Sequence, residues 1–158
     1  MRFKAELAAE QLELLYSLIG PISRLSPQAV VYLDREYLRI SSRDADGISC
    51  FAELTVKGGI FLSHKIDSVA EHNAIVFEID LIQWRTAMQS IVGDDRRHFG
   101  DQDGTGTGPL GFESSITTMK LAKRHGGIPC LCLDGKCADA VEVYHAIPVK
   151  VMRAGDMQ

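Results

Sequence analysis

Long apolar runs are missing from this chain. Its longest are a few residues, against the roughly 20 that a membrane-spanning helix needs, so no span of that kind is expected. An excess of positive charge is missing too. Lys and Arg number 17, Asp and Glu 21, for a net charge of −4. That argues against a protein that coats nucleic acid indiscriminately, while leaving room for a local basic surface on an acidic body. The start, Met1-Arg2-Phe3-Lys4-Ala5-Glu6-Leu7, enters alternating strand pattern at once, and no signal peptide is expected. Cysteines number only 4, which in a chain without a signal suggests free thiols and a reducing compartment. Catalytic signatures are absent as well. There is no G-x-x-x-x-G-K-[ST] loop, no G-x-S-x-G elbow and no H-E-x-x-H helix, the patterns that cradle phosphates, expose a nucleophilic serine or bind a catalytic zinc. No catalytic residue is therefore assigned, and a binding or scaffold protein is the expectation.

What is present fits one globular domain. The 158 residues are 46% apolar and 24% charged, enough to bury a core. Arg2 to Leu7 alternates polar and apolar residues, as a half-buried strand does. Leu12, Leu15, Ile19 and Ile22 then recur at helical spacing, with Leu18 and Leu25 on the same side, predicting an amphipathic helix over about Ala9 to Leu25. Pro21 removes a helical hydrogen bond, so a kink or restart is expected there. Three strands are predicted at Ala29–Leu33, Leu38–Ser42 and Ile48–Val56, separated by turns at Asp34-Arg35-Glu36 and Asp44-Ala45-Asp46-Gly47. Lys57-Gly58-Gly59 breaks the pattern. Ile60–Ile66 and Ala74–Ile79 follow as strands.

Asp80 precedes a second helical pattern in which Leu81, Trp84, Met88, Ile91 and Val92 share a face. Asp80 can accept from the free amides of the first turn, and Gln83 can complete a capping box. Asp94 to Gly111 is rich in Gly, Asp and Thr and reads as a flexible insertion. Ser115–Ala122, Ile128–Leu133 and Ala140–Val149 are the last predicted strands. A βαβββ order thus occurs twice. Two amphipathic helices lying side by side on one face of antiparallel sheet are the expected architecture, an α+β fold.

Some polar clusters could carry chemistry. Cys130, Cys132 and Cys137, with His125 and His145, are zinc-type donors. A structural zinc site wants C-x2-4-C pairs on loops, however, whereas Cys130-Leu131-Cys132 sits in an apolar strand. These thiols read as small buried residues of a core strand, as does Cys50 beside Phe51, and no metal site is assigned. Asp101, Asp103, Thr105, Gly106 and Thr107 begin like a calcium loop, but Glu113 falls one residue late for the bidentate position. Glu10 and Glu13 read as a solvated helix surface. Arg24 ends the first helix and Arg85 is on the second, while Lys120, Lys123 and Arg124 cluster around a hairpin. If the helices share one face, Arg24 and Arg85 are the candidates for phosphate contacts that do not read sequence.

An ordered set of segments resembles a known family. The segments are Met1-Arg2-Phe3-Lys4-Ala5, Ile22-Ser23-Arg24-Leu25, Lys120-Leu121 with His125 and Pro129-Cys130-Leu131, and His145-Ala146-Ile147-Pro148-Val149-Lys150-Val151. Together they resemble the N-terminal half of the Hus subunit of the nine-one-one checkpoint sliding clamp, a relative of PCNA. The resemblance covers almost the whole chain outside Asp94–Gly111. It implies a DNA-clamp domain over residues 1–152, with the 94–111 insertion, and the start of an interdomain connector at 153–158. It implies a nuclear, non-enzymatic scaffold of DNA damage response and repair, without cofactors. Two sister clamp subunits, a clamp loader, double-stranded DNA bound without sequence specificity, and repair and checkpoint proteins are the implied partners, with no membrane. A subunit of this kind has two such domains, whereas this chain ends at Gln158, about where the connector would start. With few basic residues on the helices, DNA binding by this half alone is expected to be weak. A free-standing β-rich interaction module is the alternative, and a Cys/His metal-binding or hydrolytic protein is a further one.

Overall fold

The computed structural model of the chain describes residues 1–92, 116–136 and 142–153. The described elements are β1 (Arg2–Leu7), α1 (Ala9–Leu25), β2 (Gln28–Leu33), β3 (Tyr37–Arg43), β4 (Ser49–Thr55), β5 (Ser63–Asp67), β6 (Ile75–Asp80), α2 (Leu81–Val92), β7 (Thr117–Lys123), β8 (Pro129–Lys136) and β9 (Glu142–Met152).

The strands form one antiparallel sheet in the order β4-β3-β2-β6-β9-β8-β7-β1-β5. The expected duplication is visible in this order. Each unit contributes a three-stranded meander, β2-β3-β4 or β7-β8-β9, and the first strand of the other unit extends it. The meanders meet where β6 pairs with β9. Strand β5, which the repeat does not account for, lies outside β1. Strand β9 serves both halves: Glu142 to Pro148 pair with β8, and Val149 to Met152 pair with β6. The changeover falls at Pro148, a residue with no amide hydrogen to donate to a ladder.

Local chemistry explains most element ends. The Asp34 side chain accepts from the amides of Glu36 and Tyr37, each at 2.7 Å, closing the β2–β3 turn. Asp44 does the same for Ile48 at 2.8 Å. Gly58 has φ +70, a left-handed conformation that glycine adopts without penalty, in the Val56–Ile60 turn. The Gln11 side chain ties that turn to α1: it accepts from Ala8 N and donates to the Gly59 carbonyl, both at 2.9 Å. The Asp80 carboxylate accepts from the amides of Ile82 and Gln83 at 2.9 Å, as its sequence position predicts.

Both helices bury one stripe against the same face of the sheet. Leu12, Leu15, Ile19 and Ile22 of α1 and Leu81, Trp84, Met88 and Ile91 of α2 join Phe3, Leu7, Val31, Ile40, Phe77, Leu131 and Leu133 in one core. The Leu81 amide donates to the Pro27 carbonyl at 2.7 Å, and Arg85 lies beside Gly20. Moving up α2 therefore means moving back along α1, so the two helices run antiparallel.

Two expectations need correction. Helix α1 runs unbroken from Ala9 to Leu25 through Pro21. Pro21 and Ser17, whose carbonyl loses the proline's amide as partner, both lie on the solvent side, where water can replace the bond. Cys50 is not core: it is exposed, and Phe51 next to it is 67% exposed. Strand β4 ends the sheet, and the core covers only its alternate residues Ala52 and Leu54.

Candidate nucleic-acid interface

The helix pair presents a shared solvent surface, and the two arginines singled out from the sequence sit on it very differently. Arg24 is exposed in the last turn of α1, where a cation also suits the negative end of the helix dipole. Arg85 is half-buried. Its guanidinium carbon stands 5.4 Å from the centre of the Tyr16 ring, a cation–π geometry. A Cβ added to Gly20 would lie 3.8 Å from Arg85 Nε, so the arginine rests along a helix surface that glycine keeps low. Arg85 Nε is buried with no hydrogen-bond partner among the described residues. Arg24 follows Gly20 by four residues, ~6 Å further along the axis. The fold thus brings both arginines to the end of the helix layer where α1 finishes and α2 begins.

The remainder of that surface is not basic. Glu10, Glu13, Leu14, Ser17 and Pro21 are exposed on α1, and Ile82, Gln83, Thr86, Gln89 and Ser90 on α2. The two carboxylates balance the two guanidinium groups. This helix pair could touch a phosphate backbone at one end but could not by itself hold a polyanion firmly.

Reasoning from the sequence missed that Arg85 packs. The signal was there: Leu81, Trp84, Arg85 and Met88 follow one another at i, i+3, i+4 and i+7, which puts Arg85 on the buried stripe. Tyr16 and Gly20, four residues apart on α1, form its seat.

Cys130 and Cys132 are buried, as their segment predicts. Cys130 is 4% exposed and Cys132 1%. They alternate with the core residues Leu131 and Leu133 and so lie on the sheet face turned away from the helices. Burial pushes the Cys130 thiol up, the nearby Cys132 adds to the shift, and Arg124 opposes it. Contact with the Cys132 thiol, then burial, raises the Tyr144 hydroxyl. The Arg124 guanidinium lies 4.3 Å from the Tyr144 ring centre. A buried, protonated thiol is a poor metal ligand.

On the helix side, Ser90 Oγ donates to the Ala87 carbonyl at 2.7 Å and stands 2.6 Å from His145 Nε2. Among the described residues no three His, Cys, Asp or Glu side chains gather as metal donors would. Cys137, the His125 side chain and the Asp101 to Glu113 candidates lie outside the described residues.

The comparisons match this architecture. The structure is similar to the crystal structure of PCNA from Thermococcus kodakaraensis, with a TM-score of 0.60 and 13% sequence identity, over 99% of this chain and 49% of that one. The chain therefore spans about half the length of that relative. At this identity the likeness shows the fold: a PCNA-like domain. No curated protein matches the sequence. Residues 1–158 match the family described as Hus1-like protein, and since that match runs the whole length of the sequence, the chain belongs to the Hus1-like family.

Proposed function

We propose that this chain forms part of a subunit of a heterotrimeric checkpoint clamp that encircles double-stranded DNA. The observation that carries the reading is the antiparallel helix pair laid on one face of a nine-stranded sheet, in a member of the Hus1-like family. With helices turned inward and sheets outward, such domains line a ring with helix surfaces. Arg24 and Arg85, at one end of the pair, are the proposed contacts to phosphates, without base readout. The near-neutral surface around them suits a duplex that slides rather than one gripped by this half alone. The role is a non-enzymatic scaffold in the nucleus, serving DNA damage signalling and repair, with a clamp loader and checkpoint and repair proteins as further partners.

Strand β4 also supports assembly. It is an end strand, and Ile48 just before it and Phe51 on it are 60% and 67% exposed. Unpaired strand edges with apolar side chains are contact sites. The same observation favours a second reading, a free-standing interaction module that binds one partner and forms no ring.

Assembly separates the two. Co-expression with the two sister clamp subunits, followed by size-exclusion chromatography, is expected to give one co-eluting complex. Consistent separation would overturn the ring reading. In the assembled complex on circular DNA, Arg24→Ala is expected to speed loss of DNA and to reduce the salt slope of binding by about one. An unchanged slope would remove Arg24 from the interface.

A further inference from the structure

We infer that the free edge of β5 is a docking site for an extended acidic peptide segment of a partner protein, added as a further strand. The inference does not depend on ring assembly.

It starts from the register. Lys4 lies directly opposite Lys65 on one side and Lys120 on the other. Residues in register share a sheet face, so three ammonium groups stand in a row across β5, β1 and β7. The row lies on the face turned away from the helices, because their neighbours Phe3, Ala5 and Met119 point into the core. Strands lie about 4.8 Å apart, so the row spans roughly 10 Å. Like charges directly opposite cost a sheet stability. None of the three has a salt-bridge partner within 4.0 Å among the described residues. Of the carboxylates on this face, Glu6 accepts from Ser63 Oγ at 2.9 Å, Asp67 stands opposite Arg2, and Asp134 of β8 stands opposite Thr118, diagonal to Lys120.

A second observation places a cavity at the end of this row. An open depression of about 700 Å³ lies between β5 and the β2–β3 turn. Arg35, Lys57, His64 and Lys65 line it, with Glu36 and Asp67. Among the described residues strand β5 ends the sheet, and only β1 pairs with it. Its other edge faces the depression with the backbone groups of Ser63 to Asp67 that β1 does not bind, and of these residues Ile66 already has its carbonyl accepting from Asn73 Nδ2 at 2.9 Å. Lys65 is exposed and belongs both to the row and to the depression.

These features select the occupant. A lysine on an end strand discourages pairing with a second copy, which would bring Lys65 near its own kind. It admits a strand whose facing residue is anionic. Backbone bonds then give affinity, and carboxylates or phosphates opposite Lys65 and along Lys57 and Arg35 give specificity. Glu6 and Asp67 flank the lysine row, and Glu36 lines the depression. They confine a favourable anion to a narrow track and would repel the wide phosphate surface of a duplex. On a chain of net charge −4, this local excess of cations is the exception.

The test is fluorescence anisotropy of the full chain with labelled Val-Glu-Val-Glu-Val-Glu-Val, capped at both ends. Saturable binding is expected. Lys65→Glu and, separately, Lys4→Glu should each lower affinity at least about tenfold, and Lys65→Ala should lower it less. Circular dichroism checks that each variant is folded. The same peptide with alternate backbone nitrogens methylated should lose binding. The inference is overturned by any of four results: equal binding of the Val-Lys counterpart, indifference of binding to the Lys65 and Lys4 substitutions, binding untouched by methylation, or a short DNA duplex displacing the peptide with higher affinity. Self-association through β5, seen by analytical ultracentrifugation and abolished by Lys65→Glu, would also overturn it.

Discussion

The guanidinium of Arg85 lies 5.4 Å from the centre of the Tyr16 ring and joins α2 to α1. This makes Arg85 a packing residue as well as a candidate DNA contact. Arg85→Ala should destabilise the fold by about 0.5–2 kcal/mol, through lost cation–π attraction and lost cover of the methylene stem. Arg24→Ala should cost about 0.5 kcal/mol or less. Urea denaturation of both variants checks this. A double-mutant cycle with Tyr16→Leu should return a coupling energy, and no coupling would mean that the ring contributes nothing to holding Arg85.

Gly135 on β8 faces the last turn of α2. A Cβ built there would come within 2.9 Å of Ile91 Cγ2, closer than real side chains approach. Gly135→Ala should therefore destabilise by about 1–3 kcal/mol, although alanine ordinarily suits a strand better than glycine. In an Ile91→Ala background the same glycine substitution should cost less, as read from thermal melts of the two singles and the double variant. If the pair of changes costs the sum of the two singles, the crowding is absent.

Asp80 caps α2 with a single carboxylate oxygen serving two amides. Asp80→Ala should cost about 0.5–2 kcal/mol, and Asp80→Asn much less, because asparagine keeps the acceptor. Chemical denaturation of the two variants measures the difference.

The core makes a sharper contrast. Leu15 and Met88 are fully buried, while Leu14, next to Leu15, is 50% exposed. Leu15→Ala and Met88→Ala should each cost about 2–5 kcal/mol, and Leu14→Ala about 0.5 kcal/mol or less.

The thiols should differ in reactivity. With Cys137 replaced by serine, iodoacetamide is expected to modify Cys50 first, because it is exposed. Cys130 and Cys132 should react only slowly under native conditions and quickly in urea. Raising the pH should help little at Cys130, whose thiol burial keeps protonated beyond its usual range. Mass spectrometry of the modified peptides reads the order directly. Early labelling of Cys132 would show that the Arg124–Tyr144 cover opens.

Much of the fold could be read from local patterns. The apolar stripe of Leu12, Leu15, Ile19 and Ile22 has one physical solution, a helix on a core, and Asp80 marks where the second helix starts. Cys130 and Cys132 were legible as buried because they sit among Leu131 and Leu133. What escaped depends on neighbours far away in sequence. Cys50 looks like core from its own segment, and only the position of β4 at the end of the sheet exposes it. Arg85 looks like surface from its charge, and only Tyr16 and Gly20 of the other helix draw it inward. The lysine row needs the register of three strands, with Lys4, Lys65 and Lys120 distant along the chain. Charge and hydropathy fix faces, whereas partners require topology.

Strand β9 changes partner at Pro148, from β8 to β6, and this has a consequence in time. During synthesis β2, β3 and β4 can pair as soon as they emerge. Strand β1 leaves the ribosome first, yet its neighbour β7 starts only at Thr117. Until then the apolar side of Phe3, Ala5 and Leu7 has no partner there. The two half-sheets stay unjoined until Val149 to Met152 arrive. The β6–β9 contacts that make the sheet continuous and the still longer-range β1–β7 contacts are the non-local ones, and closing such loops is slow. The nascent chain carries unpaired strand edges until β7 and β9 have emerged, which makes the closing of these two pairings, rather than the formation of the β2-β3-β4 meander, the step on which folding yield depends.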